Sequence, residues 1–184
     1  MPPRRERHPV PSAVVVNRQR FARVSVARCR LLLAALERCT RRLRGTSAPP
    51  WRGVTVLLVA DGGSAEAHRL VFDDPAPTDV ITTSFVEESP DGGISSLEGE
   101  LVVNVQRAWQ LGSRLAARRP AGAWSPAHEL ALYLAHGLDH LTGADDAEPS
   151  ERRRMRSREL RWVASVAPLL PGVFQDIRPA SHAP

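Results

Sequence analysis

His136-Gly137-Leu138-Asp139-His140-Leu141-Thr142-Gly143-Ala144-Asp145-Asp146 is the stretch on which the reading of this chain turns. Two histidines four residues apart lie on one face of a helix, one turn from each other. Their ring nitrogens can then meet at a single ion about 2.0–2.1 Å from each. Gly143 is placed to stop the helix, because glycine accepts the left-handed conformation at a helix C-terminus. The chain turns back there and brings Asp146 as a third ligand, with Asp145 as the fallback. A two-histidine, one-carboxylate set leaves a fourth position open for water, the arrangement of catalytic zinc. The zinc-protease pattern H-E-x-x-H is absent, since Gly137 stands where its glutamate would be. A glycine inside a helix costs about 1 kcal/mol relative to alanine. Its presence points to a close approach, by a substrate or by a strand packed against the helix. Asp139 sits about 60° round the helix from His136. It is the catalytic candidate, able to orient a ligand or hold water at the metal; the alternative is a solvated charge.

Outward from this stretch the chain is readily divided. Ser125-Pro126 supplies an N-cap and a first-turn proline for the helix that ends at Gly143. A last helix is expected from Pro149-Ser150 to Val166. Upstream, helices are expected over Arg23–Leu43, over a short stretch capped by Ser64 and ending near Leu70, and over Gln106–Ala117. Ala13–Asn17, Val54–Val59, Thr78–Phe85 and Glu100–Val105 read as strands, the second apolar enough to be central in a sheet. Asp61-Gly62-Gly63 reads as a turn and Pro90–Ser96 as a loop. Strands interleave with helices, but the hairpin-like pair 78–85 and 100–105 breaks a strict βαβ alternation. The expectation is α+β: a small mixed sheet surrounded by about five helices in one domain over 13–166. Residues 1–12 are expected to form a flexible Pro/Arg-rich arm, and 167–184 a loose tail.

Composition narrows the class. A chain of 184 residues with 42% hydrophobic residues suits one folded domain. Cys29 and Cys39 are ten residues apart on one expected helix, about 15 Å, too far for a disulfide. They read as reduced thiols in a cytoplasmic setting. No signal peptide is apparent, and no window approaches the ~20 apolar residues that span a bilayer. All 25 basic residues are arginine and the net charge is +5. Arginine's planar fork suits phosphate oxygens, so nucleic acid is a candidate partner; a GC-rich genome gives the same bias. Arg152, Arg153, Arg154, Arg156, Arg158 and Arg161 make the last helix basic, either as a phosphate-tracking face or as a solvated surface paired with Glu151 and Glu159.

The stretch His136–Asp146 resembles the H-G-x-L-H-L-x-G-x-[DH]-[HD] signature of the YbeY family, bacterial endoribonucleases and rRNA maturation factors. Pro77-Thr78-Asp79-Val80 is similar to that family's P-T-D-V-L-S-F segment, and Leu97–Val103 to its L-G-D-I-x-I strand. His128-Glu129-Leu130 also resembles the family. Order and spacing agree over roughly 13–166. The resemblance implies one zinc ion, a four-stranded sheet, and cleavage of single-stranded RNA during rRNA processing, with the small ribosomal subunit or its proteins as partners. The metal positions carry over as His136 and His140, with Asp146 where the family usually has a third histidine. Asp139 replaces a leucine. The family arginine that holds RNA phosphate falls on Phe72, with Arg69 nearby as a substitute and Thr78 as a second substrate contact. Thr82, Thr83 and Ser84 compete for the place of the family serine. The rival function is a non-catalytic rRNA or ribosome-assembly factor with a structural metal site.

Overall fold

The structure, a computed structural model, describes residues 12–44 and 51–175. The arm over 1–11, the loop at 45–50 and the end of the tail over 176–184 lie outside these residues. Among the described residues four strands and five α-helices follow in the order β1 (Ser12–Asn17), α1 (Val26–Arg44), β2 (Trp51–Val59), α2 (Asp61–Phe72), β3 (Val80–Glu88), β4 (Ile94–Asn104), α3 (Val105–Ala116), α4 (Pro126–Leu141) and α5 (Pro149–Val166). The strands form one mixed sheet in the order β1-β2-β4-β3. β1–β2 and β2–β4 pair in parallel, and β3–β4 is antiparallel. The α+β fold with a small mixed sheet and five helices is as the sequence implied.

Alternation along the strands assigns the two faces of the sheet. Val56, Leu58, Leu101 and Val103 point into the main core with α1 and α4. Val59, Ile81 and Val102 point the other way, where Ala67 of α2 covers them. The sequence VTVLLV is apolar at nearly every position because β2 lies between two neighbours with a helix on each face. Helix α4 is the central element: twelve of its sixteen residues are buried, which is why its apolar stripe is too wide for a simple amphipathic pattern.

Several boundaries differ from expectation. Helix α2 begins at Asp61, so Asp61-Gly62-Gly63 is its first turn. Ser64 is not its cap: the Ser64 hydroxyl donates to the Thr78 carbonyl at 2.8 Å and accepts from the Thr78 N–H at 3.0 Å. A long-range pair thus takes the serine that local propensity assigned to a cap. The Pro90–Ser96 loop shrinks to a turn, because β4 starts at Ile94 and pairs with β3 out to Glu88. The tail is not loose from residue 167. Leu170 and Val173 are buried, and backbone bonds from Ser25 to Val173 and from Gln175 to Arg23, both 2.9 Å, seal the segment onto the entrance of α1. Its apolar residues are too few to give a period, so only packing reveals their role.

Candidate metal centre and cleft

Helix α4 is positioned before its ligands are considered. Ser125 caps it, accepting the His128 N–H at 3.4 Å, and Pro126 occupies its first turn. Gly137 lets it lie flat on the sheet: a Cβ there would stand 2.7 Å from the Leu101 Cδ2 and 3.2 Å from the Thr82 hydroxyl. The close approach is therefore to the strands β4 and β3. After Leu141 the chain reverses through Gly143, whose φ of +89° is the left-handed value that favours glycine. Its N–H reaches the His140 carbonyl at 2.9 Å.

That reversal brings the three sequence-derived candidates together. One nitrogen each of His136 and His140 and one carboxylate oxygen of Asp146 lie within 4.8 Å of one another. The two Nε2 atoms are 3.2 Å apart. Asp146 oxygens stand 4.0 Å from the His136 Nε2 and 3.9 Å from the His140 Nε2. Asp145 is exposed and its Oδ1 accepts the Ala147 N–H at 3.1 Å instead.

The opposite ring nitrogens are already committed. His140 Nδ1 donates to the Ala144 carbonyl at 2.9 Å, and a carbonyl can only accept. His136 Nδ1 stands 2.7 Å from the Glu159 carboxylate. Both Nε2 atoms are then left with lone pairs facing each other, an arrangement that needs a shared proton or a cation between them. The Asp146 carboxylate on the same side adds a third donor, and the three together could hold a cation. A carboxylate or carbonyl behind each ligating imidazole is also the usual outer shell of a metal site. The donor set therefore fits a divalent ion such as zinc. Burial is the largest influence on the His136 pKa and pushes it down. The Glu159 hydrogen bond and charge, with Asp79 and Asp146, together outweigh it, and the net direction is up.

Glu159 was missed by sequence reasoning, which made it a surface partner for arginines. It is 2% exposed. A signal was present: Met155, Glu159, Trp162, Val163 and Val166 form the buried stripe of α5, and an acid inside such a stripe needs a polar partner. Arg158 was missed in the same way. Asp139 is fully buried, which removes the reading of a solvated charge. Its carboxylate faces Arg158, with Nε to Oδ2 at 2.9 Å and Nη2 to Oδ2 at 2.7 Å. Burial raises its pKa, and the Arg158 contacts offset only part of the rise.

The cluster sits where two cavities meet. One, of about 430 Å³, is lined by His136 and Asp146 together with Asp79, Arg107, Arg152 and Arg156. Arg152 also braces the ligand loop, its Nε reaching the Asp146 carbonyl at 3.1 Å. Glu129 forms part of this wall; burial raises its pKa, against the hydrogen bond from Trp124 at 2.8 Å. The other cavity, of about 290 Å³, is lined by His136, His140, Phe72, Thr82 and Ser84, and Thr83 is not in its lining. Arg69 and Thr78 are in neither lining. Arg69 is exposed on α2, and Thr78 is held in a network with Ser64, Asp79 and Asn104. His68 and His128 are also apart from the cluster: His68 bonds the Ala76 carbonyl at 2.8 Å, and His128 stacks on Trp124.

Comparison with known proteins identifies relatives of the chain. A family model described as Endoribonuclease YbeY matches residues 16–167. A protein of Rhodopirellula baltica named Endoribonuclease YbeY is 31% identical over 150 residues, 82% of this chain and 67% of the relative. A Thermobifida fusca protein of the same name is 31% identical over 153 residues, 83% of this chain and 88% of the relative. In Kineococcus radiotolerans the identity to a protein so named is 35% over 118 residues, 62% of this chain and 64% of the relative. The match spans every strand but the start of β1 and all five helices, the His136-His140-Asp146 cluster included, and the chain belongs to the YbeY family.

Proposed function

We propose that this protein is a metal-dependent endoribonuclease that cleaves single-stranded RNA in rRNA processing and ribosome maturation, in the cytoplasm, with the small ribosomal subunit as its setting. The observation that carries it is the pair of imidazoles whose Nδ1 atoms are both engaged and whose Nε2 atoms converge, 3.2 Å apart, beside the Asp146 carboxylate. The names of the relatives supply the reaction. His136, His140 and Asp146 would hold one ion, and zinc is the best fit to two imidazoles and a carboxylate. When bound, such an ion supplies a Lewis acid at the phosphodiester and lowers the pKa of water to about 7.

The chain's own residues do the rest. Glu159 and the Ala144 carbonyl fix the tautomer and orientation of the two imidazoles. Arg107, Arg152 and Arg156 give the larger cavity donors for phosphate oxygens. Asp139 is assigned to fixing α4 against α5 through Arg158, since its oxygens are taken up there. Arg69 of α2 and Thr78 before β3 remain outlying contacts for the RNA chain.

The test is cleavage of a single-stranded RNA by wild type, His136→Ala and Asp146→Ala, with metal content measured on each. Loss of bound metal and of cleavage together is expected. Cleavage by metal-free protein would sink the proposal. Phe72, exposed where the resemblance places a phosphate-holding arginine, favours the rival of an rRNA-binding assembly factor. Metal-loaded protein that binds rRNA and never cuts it would decide for that rival.

A further inference from the structure

Helix α2 ends in an apolar triplet, Leu70, Val71 and Phe72, that stays exposed at 68%, 52% and 59%. Of the three, only Phe72 lines the smaller cavity, which it shares with His136 and His140. Its ring is held from behind. The His68 ring meets it edge-on, with centroids 5.3 Å apart and planes at 60°. His68 is itself fixed by the Ala76 carbonyl at 2.8 Å. The next residue, Asp73, takes the left-handed conformation at φ 58° and its N–H closes on the Arg69 carbonyl. The helix therefore stops at Phe72, and the ring lies in the wall of the smaller cavity with the His68 ring against one side. An aromatic side chain supported on one side and open on the other is a preorganised stacking surface.

The charge around it selects what can stack. A helix C-terminus carries about half a negative charge. Asp73 and Asp74 follow at once, both exposed. With Arg69 the one arginine of that last turn, the local balance stays acidic and disfavours a phosphate more than an uncharged base. The phosphate-binding donors stand across the metal cluster instead, as Arg107, Arg152 and Arg156 of the larger cavity. Bases of single-stranded RNA are unstacked and present free π-faces, which proteins take up on aromatic side chains.

We propose that Phe72 is the stacking platform for the nucleobase next to the scissile phosphate, so that the RNA backbone lies on the α5 side of the metal cluster and one base on the α2 side. This rests on the reading of the protein as a nuclease of single-stranded RNA. It makes Phe72 a substrate-binding residue and gives the site its preference for unpaired strands, because a base in a duplex has no face to offer.

The test compares Phe72→Leu, Phe72→Ala, Phe72→Tyr and Phe72→Trp in the metal-loaded protein. The readouts are the Kd for a cleavage-resistant single-stranded RNA analogue, kcat and KM on the cleavable RNA, and metal content. Phe72→Leu and Phe72→Ala are expected to weaken binding and raise KM about tenfold, in line with base stacking in other proteins, with kcat and metal content unchanged. Phe72→Tyr and Phe72→Trp are expected to match wild type. An abasic nucleotide scanned along the analogue should weaken wild type at one position and leave Phe72→Ala unaffected there. Should Phe72→Leu bind like wild type while wild type cleaves, the stacking assignment is overturned and the nuclease reading stands. Wild type that cuts nothing, with Phe72→Leu still weakened and Phe72→Tyr not, overturns the nuclease reading and leaves the platform in place.

Discussion

At the residue scale, Glu159 is the group that holds the His136 imidazole in place. It is the buried acceptor behind His136. Replacing such an outer partner lowers metal affinity about 10–100-fold in comparable sites. Glu159→Gln keeps the volume and loses the charge. We expect it to fold, and to bind zinc more weakly by roughly that factor, in competition with a chromophoric chelator. Unchanged affinity would remove Glu159 from the site. Cys29 offers a second check, on the core. Its thiol is 1% exposed and burial pushes its pKa up to about 12. The reactive thiolate is therefore absent at pH 8. Iodoacetamide at that pH should leave Cys29 unlabelled in native protein and label it in urea, with the labelled site read by mass spectrometry.

At the element scale, α4 and α5 are joined by an ion pair whose acid is fully buried, beside the His136-His140-Asp146 cluster. Asp139 is fully buried, and Arg158 is its main compensating partner, with a longer contact from the Thr142 hydroxyl at 3.4 Å. Removing one member of a buried pair leaves the other charge stranded, at about 3–5 kcal/mol. Arg158→Leu should therefore lower unfolding free energy by roughly that amount in denaturant titration. The double variant Asp139→Leu/Arg158→Leu should regain most of the loss, since an apolar pair of similar volume fits the same place. A double variant no more stable than the single one would show that the pair is not what joins the helices.

At the scale of the whole molecule, the last described segment closes the core. Leu170 and Val173 are buried beside Leu32, Leu33 and Leu36 in one cluster. Each such side chain contributes about 1.5–3 kcal/mol by burial. A chain ended after Ala167 should lose about 3–6 kcal/mol, a large part of the stability of an ordinary domain. Urea titration of the shortened chain checks it, and unchanged stability would return the segment to the loose tail first expected. Metal acts on the same balance. Zinc at 100 times its Kd should add about 2.7 kcal/mol, and a chelator should lower the melting temperature accordingly.

The sequence by itself determined the short-range half of this protein. The His136–His140 spacing, the Ser125-Pro126 start, the reversal at Gly143 and the apolar run of β2 are all set within a few residues by backbone geometry. Helical and strand periods make such features readable without a partner. The family signature was legible for the same reason. The tertiary structure decided everything that needed a second element: Glu159 behind His136, Arg158 on Asp139, Ser64 on Thr78 instead of a cap, and Leu170 and Val173 in the core. The polar side chains among them, Glu159, Arg158, Asp139 and Ser64, carry charges or hydroxyls whose local partners look adequate on paper. Burial takes the solvent away, and an unpaired polar group then costs more than a local cap or surface pair can return. Which pair forms is fixed by the packing of α5 and α2, and no local period records it.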